Sequence, residues 1–261
     1  MTEAIIAQVG QLLEQHLDNS KAKLTPALNQ QAPEIIAQDL QLKERLEQGF
    51  QGEEDLLAFV KTYLTHTNHL SHPHYMGHQV AVPHDLSGIP ELIHGTINNP
   101  SSLYEMGPAG GTCEGFMINW MLKKMGWLGG RDDYDFHFTP GKSSGLLTHG
   151  GSVANLTALA AARAAIAPDA WTEGNPSDLV VIGAASAHYS IARALSILGL
   201  GKKAFYPVAV DKNEVLLIED LPRVYAKALA DGKRVMCVSW RTLVRPQQAF
   251  LILSMPWEIF V

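Results

Sequence analysis

The chain has 261 residues, of which 46% are hydrophobic and 18% are charged, and its formal net charge is −6. A chain of this length and apolar content can bury the core of one large α/β domain, whereas its negative charge argues against a general nucleic-acid-binding protein, which needs a basic surface. No apolar run approaches the ~20 residues of a membrane-spanning helix, and Glu3 stands where a signal peptide carries basic residues, so we expect a cytoplasmic protein without a membrane segment.

The first 70 residues are predicted to form a helical arm. Apolar residues between Ile5 and Leu17 recur on one helical face, a second helical pattern covers residues 35–46, and a third follows the acidic residues at 53–55. The segment between the first two helices is polar and prone to turns. The arm has too little apolar surface to fold alone, and we expect it to pack on the rest of the molecule or on a second subunit.

Residues 71–238 are predicted to form the first part of an α/β domain. A helix is expected around residues 113–121, and strands and helices alternate after it. The predicted strands are residues 145–148, 179–182, 205–210 and 234–238, and the predicted helices between them are residues 152–165, 190–198 and 221–229. Strands separated by helices imply βαβ units with a largely parallel sheet.

The two cysteines, Cys113 and Cys237, fall in apolar surroundings and are not spaced as a pair. We interpret both as buried free thiols in a reducing compartment rather than as a disulfide.

A glycine turn, Thr148-His149-Gly150-Gly151-Ser152, joins a predicted strand to a predicted helix. Unpaired backbone N–H groups and the helix dipole meet at such a turn, and together they can bind a phosphate or another anion. The turn is neither a Walker loop nor a G-x-G-x-x-G dinucleotide motif. An ordinary tight turn with Ser152 as the helix N-cap explains the pattern equally well.

His188 follows the predicted strand at residues 179–182 and precedes the next predicted helix. It therefore lies at the carboxyl end of a strand, where open α/β sheets bind ligands. An imidazole in this position can stack on a flat ring or transfer a proton near neutral pH. Taken alone, a hydrogen-bonded surface histidine is the commoner explanation.

A histidine-rich stretch between residues 66 and 84 raises the question of a metal site. Neither carboxylates nor cysteines recur there at the spacing of metal ligands, and no H-E-x-x-H motif is present. We therefore do not expect a metal site.

Four segments of the sequence resemble segments of the group II pyridoxal-phosphate-dependent decarboxylases, and they follow one another along the chain in the same order as in that family. Residues 150–163 resemble the phosphate-binding segment of that family, and residues 186–194 resemble its ring-stacking segment. Upstream, residues 72–76 and 104–109 match its substrate-side motifs. The family includes glutamate, aspartate, cysteine-sulfinate, diaminobutyrate and aromatic amino-acid decarboxylases.

The resemblance implies an α/β, type I (aspartate-aminotransferase-like) fold, of which this chain holds the helical arm and the first part of the large domain. It implies pyridoxal 5'-phosphate as the cofactor, with Gly151 and Ser152 at its phosphate. His188 would stack on the pyridine ring and is a candidate for proton transfer, while His78 or Gln79 would lie near the side chain of an amino-acid substrate. The intact enzyme is expected to be a homodimer with sites at the subunit interface.

The implied reaction is α-decarboxylation of an amino acid to an amine and carbon dioxide. The run Tyr104-Glu105-Met106 is more similar to members that act on acidic substrates, so aspartate or glutamate is favoured. Another fold-type-I lyase is an alternative within enzymes. A non-catalytic remnant or binding module is an alternative of a different class.

Residues 239–261 depart from the family pattern. The resemblance calls for an aspartate at the pyridine nitrogen and for a lysine that binds the cofactor covalently. Both are expected after Val238 and neither is found, while Lys202 and Lys203 stand in a different context. With suitable codons for this tail, reading one base earlier gives Val-Ala-Asn-Ala-Gly-Thr-Thr-Thr-Thr, which resembles the family segment. We therefore interpret residues 239–261 as an aberrant, frameshifted tail and expect the chain to be an inactive fragment.

Overall fold

The computed structural model describes residues 3–77, 80–100, 102–127, 132–136, 143–241 and 250–253. The chain divides into two compact units, Met1–Ile97 and Asn98–Val261. The predicted boundaries at residues 70 and 238 follow a change in composition and the end of the family pattern, not compactness, and they stay a prediction. Within the described ranges, no helix is both long enough and apolar enough to cross a membrane.

The first unit is helical, as the sequence predicts. Its helices are α1 (Glu3–Lys21), α2 (Pro33–Asp39), α3 (Leu42–Gln48), α4 (Glu53–Thr65) and α5 (Gly88–Ile97). Helix α1 packs on α4 and buries Ile5. Helix α5 was not predicted, although Pro90 in its first turn is a residue that suits a helix start.

The single helix predicted over residues 35–46 is wrong, because the chain breaks into α2 and α3. Gln41 lies between them with a φ of 49°, in the left-handed region, which cannot continue a right-handed helix. The break buries Leu40. Arg45 stabilises the orientation of α3 after the break, because its guanidinium group donates to the Leu40 carbonyl at 2.6 Å and pairs with the Asp55 carboxylate of α4 at 2.5 Å.

The second unit contains a four-stranded sheet with helices around it. Its helices are α6 (Pro108–Lys124), α7 (Gly151–Ile166), α8 (Ala170–Glu173), α9 (Tyr189–Ile197) and α10 (Leu221–Ala230). Its strands are β1 (Leu179–Ala184), β2 (Phe205–Val208), β3 (Arg234–Arg241) and β4 (Phe250–Leu253), in the order β2-β1-β3-β4.

The predicted parallel βαβ arrangement is confirmed for the first three strands. Strand β1 pairs in parallel with both of its neighbours, so that Ile182 lies opposite Tyr206 on one side and Val238 on the other. Every residue of β1 is buried, which explains its nearly continuous apolar sequence. In the part of the sheet that the structure describes, β2 is an edge strand, where Pro207 is tolerated because its missing N–H group has no strand to bond to.

Gly183 marks the tightest point in β1. A Cβ atom on this residue would lie 2.9 Å from the Phe205 ring and 3.3 Å from the Ser239 Cβ. Glycine therefore allows the close packing at the carboxyl end of the sheet, near the residues that follow β1.

The strand predicted over residues 145–148 is wrong, since this described segment has no strand. A strand is stable only with a partner that completes its ladder of hydrogen bonds. The Leu147 N–H group instead donates to the Glu114 carboxylate at 2.8 Å, and the Leu146 and Leu147 side chains are exposed.

The segment after Val238 contains strand structure that the sequence did not suggest. Strand β3 continues to Arg241, and β4 pairs with it in antiparallel register, with Ser239 opposite Ile252. The apolar run of β4 suits a strand, and the edge of β3 offers a partner. Because β4 is antiparallel, it does not extend the βαβ pattern of the preceding strands. The interpretation of residues 239–261 as an aberrant tail stays a prediction.

The two cysteines have different environments. Both are free, but Cys113 is exposed and only Cys237 is buried. The predicted burial of Cys113 is wrong, because this position on α6 faces away from the packed side of the helix. Burial raises the pKa of the Cys237 thiol to about 12, so its reactive thiolate is scarce.

We expect iodoacetamide at mildly alkaline pH to modify Cys113 and to leave Cys237 unmodified until the chain is unfolded. Peptide mass spectrometry before and after addition of guanidinium chloride measures both sites in one sample. A Cys113→Ser variant serves as the control and should take up label only in the denaturant. Equal labelling of the two thiols in native buffer would contradict the packing of β3.

Candidate functional site

The glycine turn forms an uncapped helix N-terminus. Gly150 is the N-cap of α7 with φ 90° and ψ 164°, a conformation that favours glycine, and no side chain caps the helix. The alternative with Ser152 as the N-cap is therefore wrong. Gly151 and Ser152 lie in the first turn and are exposed, and the backbone N–H groups of a first turn have no partner within the helix. Space is open around Gly150 and Gly151, because a Cβ atom on either would meet nothing within 4 Å.

His188 lies between β1 and α9, at the carboxyl end of the strand as predicted. It is the N-cap of α9, and its Nδ1 accepts a hydrogen bond from the Ser190 N–H group at 3.3 Å. Its ring is half-buried, and the centroid lies 4.1 Å from that of Tyr189. Arg193 lies over the other aromatic ring, with its guanidinium carbon 4.6 Å from the Tyr189 centroid.

A buried hydrogen bond brings the two features together. The Asn155 side-chain amide donates to the Ser190 hydroxyl at 2.8 Å, and each residue is 2% exposed. Ser152 lies three residues before Asn155 in α7. This separation is less than one helical turn and corresponds to about 4.5 Å along the helix axis, at about 1.5 Å per residue. His188 stands two residues before Ser190. The start of α7 and the imidazole therefore lie at the same end of the packed helix pair.

Sequence reasoning missed Asn155 and Ser190. The signal that could have identified Asn155 is a polar residue between Ala154 and Leu156, on a helix whose other buried positions are largely apolar. A buried amide needs hydrogen-bond partners. Its partner lies 35 positions away in the sequence, on another helix, and only the packing of α7 on α9 identifies it.

The other predicted substrate-side residues belong to segments other than α7 and α9. His78 and Gln79 lie outside the described residues. The motif at residues 72–76 belongs to the first compact unit. Tyr104 belongs to the second unit, in a short 3-10 turn that ends at Met106, and it is 66% exposed.

Several described histidines of the first unit contact other side chains. His16 stacks on His69 with ring centroids 4.4 Å apart, and both line a cavity of about 270 Å³. Burial, followed by the nearby His16 and His72, lowers the pKa of His69. His66 lies 3.0 Å from the Asp39 carboxylate. Among the residues that the structure describes, no group of three histidine, cysteine, aspartate or glutamate side chains could hold a metal ion.

The start of α7 and His188 fit a flat cofactor that carries a phosphate. The exposed N–H groups of Gly151 and Ser152 and the positive end of the helix dipole suit a dianion. The Ser152 hydroxyl adds a further donor. The half-buried imidazole of His188 supplies a flat surface whose orientation is held by hydrogen bonds at Nδ1. The residues present are thus the types that such a group requires.

Solved structures share this architecture. The crystal structure of mouse CSAD in its apo form matches 90% of this chain with a TM-score of 0.75 and 23% identity, and the match covers 47% of that chain. The structure of Oryza sativa TDC with PLP matches 90% of this chain with a TM-score of 0.67 and 14% identity, covering 50% of that chain. These matches confirm the predicted type I fold.

Curated proteins give a consistent result. The chain is 24% identical over 206 residues to an L-2,4-diaminobutyrate decarboxylase of Acinetobacter baumannii, a match that covers 73% of this chain. It is 27% identical over 213 residues to an acidic amino acid decarboxylase of Xenopus tropicalis, which covers 80% of this chain. The chain spans 38% of the length of each of these relatives.

The family assignment rests on a match across most of the sequence. The model of the pyridoxal-dependent decarboxylase conserved domain matches residues 34–242, a range that includes the glycine turn and His188. The predicted resemblance and its pyridoxal-phosphate cofactor are thereby confirmed, and this chain belongs to the pyridoxal-dependent decarboxylase family.

Proposed function

We propose that this chain provides the phosphate-binding and ring-stacking part of an enzyme that decarboxylates an amino acid to an amine and carbon dioxide. The observation that carries the proposal is the convergence of the uncapped α7 N-terminus and His188 through the Asn155–Ser190 hydrogen bond. Pyridoxal phosphate, when bound, supplies an electron sink for the carbanion that decarboxylation produces. The protein residues supply binding and orientation.

Each residue of the site has a proposed role. The Gly151 and Ser152 N–H groups donate to the phosphate, and the Ser152 hydroxyl donates as well. His188 stacks on the pyridine ring, which fixes the plane of the cofactor, and it is placed to move a proton. His78 or Gln79 is proposed to face the side chain of the substrate.

We propose an acidic amino acid, aspartate or glutamate, as the substrate. The support is the sequence Tyr104-Glu105-Met106 and the similarity to relatives named as acidic amino acid and cysteine sulfinic acid decarboxylases. Relatives named for diaminobutyrate and aromatic amino acids match as well. A panel of these four substrate classes, offered to the intact enzyme, tests the preference.

The intact enzyme is proposed to be a cytoplasmic homodimer that needs neither nucleic acid nor a membrane. The formal charge of −6 supports the absence of a nucleic-acid partner. The dimer is supported by the exposed apolar side chains of the arm, such as Leu46, which is 87% exposed.

The phosphate site is tested by comparing two ligands, pyridoxal phosphate and pyridoxal. Gly151→Pro removes one N–H donor at a helix position that tolerates proline, and Ser152→Ala removes the hydroxyl. Each change is expected to weaken binding of pyridoxal phosphate about tenfold, the effect of one charge-assisted hydrogen bond, without changing the binding of pyridoxal. Fluorescence titration of the full chain measures both ligands.

Val153→Ala is the matched control, since Val153 is 43% exposed in the same turn and offers no side-chain donor. It should bind both ligands as the parent chain does. Equal losses for pyridoxal and pyridoxal phosphate in the Gly151 and Ser152 variants would contradict the proposed phosphate contacts.

We also propose that residues 239–261 are the product of a shifted reading frame. The gene is expected to encode Val-Ala-Asn-Ala-Gly-Thr-Thr-Thr-Thr after codon 238 when it is read one base earlier. Sequencing the gene past that codon tests this directly. Codons that give no such segment in the alternative frame would refute the proposal.

A further inference from the structure

The contact between α7 and α9 contains three hydrogen-bonded side chains, Asn155, Ser190 and His188, which we call the relay. The Asn155 amide Nδ2 donates to the Ser190 Oγ at 2.8 Å, and this Oγ lies 2.8 Å from the His188 Nδ1. Asn155 and Ser190 are each 2% exposed, and their neighbour Leu159 is fully buried. Polar groups enclosed in this way destabilise a protein unless each is hydrogen-bonded. The three side chains of the relay therefore have a defined arrangement of donors and acceptors.

The direction of these hydrogen bonds follows from the donors available. A hydroxyl has one proton, and when the Ser190 Oγ accepts from Asn155 its own proton can be directed at the His188 Nδ1. The Ser190 N–H group, which can only donate, also points at this nitrogen from 3.3 Å. Two donors thus converge on Nδ1. A nitrogen that accepts hydrogen bonds carries no proton, so the proton of the neutral ring lies on Nε2.

We propose that Asn155 and Ser190 are positioning residues that hold His188 as the Nε2–H tautomer and fix the rotation of its ring. This inference rests on the proposed function for the role of the ring toward a cofactor, although the tautomer itself does not depend on a cofactor. Rotation of the ring by half a turn would place a carbon where Nδ1 now accepts two hydrogen bonds. The relay thus fixes which face of the imidazole is presented on each side of the ring and makes Nε2 the only hydrogen-bond donor of the neutral ring.

The test measures the tautomer by NMR on the full chain labelled with ¹⁵N-histidine, at an alkaline pH where histidine side chains are neutral. The chain has 11 histidines, and the signals of His188 are assigned by their loss in His188→Gln. Long-range ¹H–¹⁵N correlation gives the Nδ1 and Nε2 shifts, which report the site of the proton. We expect His188 of the parent chain to be predominantly Nε2–H.

Ser190→Ala and Asn155→Leu are expected to raise the ratio of Nδ1–H to Nε2–H about fivefold, the effect of one hydrogen bond. Ser190→Thr keeps the hydroxyl and should restore the parent ratio. Leu159→Ala is the matched control, because it loosens the same helix contact without touching the relay. It should lower stability and leave the tautomer unchanged.

An unchanged tautomer in both Ser190→Ala and Asn155→Leu would overturn the inference. So would an equal shift in Leu159→Ala, since the tautomer would then depend on general packing. Ser190→Ala and Ser190→Thr differ from the parent by few atoms. Circular dichroism spectra that match the spectrum of the parent chain show that folded variants are compared. If the tautomer behaves as expected but pyridoxal phosphate does not bind, the positioning is upheld and the proposed function fails.

Discussion

Replacing Leu195 with alanine is expected to lower the free energy of unfolding by about 2–5 kcal/mol, the range found for large-to-small substitutions in cores. Leu195 lies on α9 and is fully buried in the cluster of apolar residues around β1. The substitution removes apolar contacts and leaves a cavity that the packed sheet can fill only in part. Because α9 also carries His188 at its start, the loss of packing should loosen the site as well.

Urea unfolding followed by circular dichroism measures this effect. Leu229→Ala on α10 is the matched control, since Leu229 is 52% exposed and the same atoms are removed from the surface. Its effect is expected to stay within about 0.5 kcal/mol. Equal losses in the two variants would mean that Leu195 is not packed in this apolar core in solution.

The buried strand and its neighbours were predictable because local sequence and tertiary environment agree. The run at 179–184 is apolar throughout, and a strand that pairs in parallel on both sides requires such a sequence. The helices at residues 152–165 and 190–198 were predicted to within one residue at each end. The positions of Gly150 and His188 at the starts of α7 and α9 could be predicted because both helices have clear sequence patterns.

Other features depend on contacts that the local sequence does not encode. Residues 145–148 have strand-like composition, yet the Leu147 N–H group donates to the Glu114 carboxylate rather than to a neighbouring strand. The break at Gln41 depends on Arg45 reaching Asp55, ten positions further along. The relay from Asn155 to Ser190 depends on how two separate helices pack. In each case the deciding partner lies outside the window in which a periodic pattern can be seen.

The purified 261-residue polypeptide is expected to release no carbon dioxide from any amino acid and to bind pyridoxal phosphate only reversibly. Covalent attachment requires a lysine that can reach the ring of a cofactor bound at the proposed site beside His188. Lys202 and Lys203 precede β2, which begins at Phe205 and runs parallel to β1. They therefore lie at the amino end of the sheet, about 13 Å from its carboxyl end at 3.3 Å per residue for the four residues of β2.

Borohydride reduction in the presence of pyridoxal phosphate, followed by peptide mapping, tests attachment, and release of ¹⁴C-labelled carbon dioxide tests activity. We expect no lysine to be modified in preference to the others. A full-length relative assayed in parallel is the positive control. The His188→Ala variant distinguishes activity of this chain from activity of a contaminant, because only the former depends on His188. Carbon dioxide release that disappears in His188→Ala would show that residues 1–261 themselves carry out the reaction, with a lysine other than the one that the family resemblance implies.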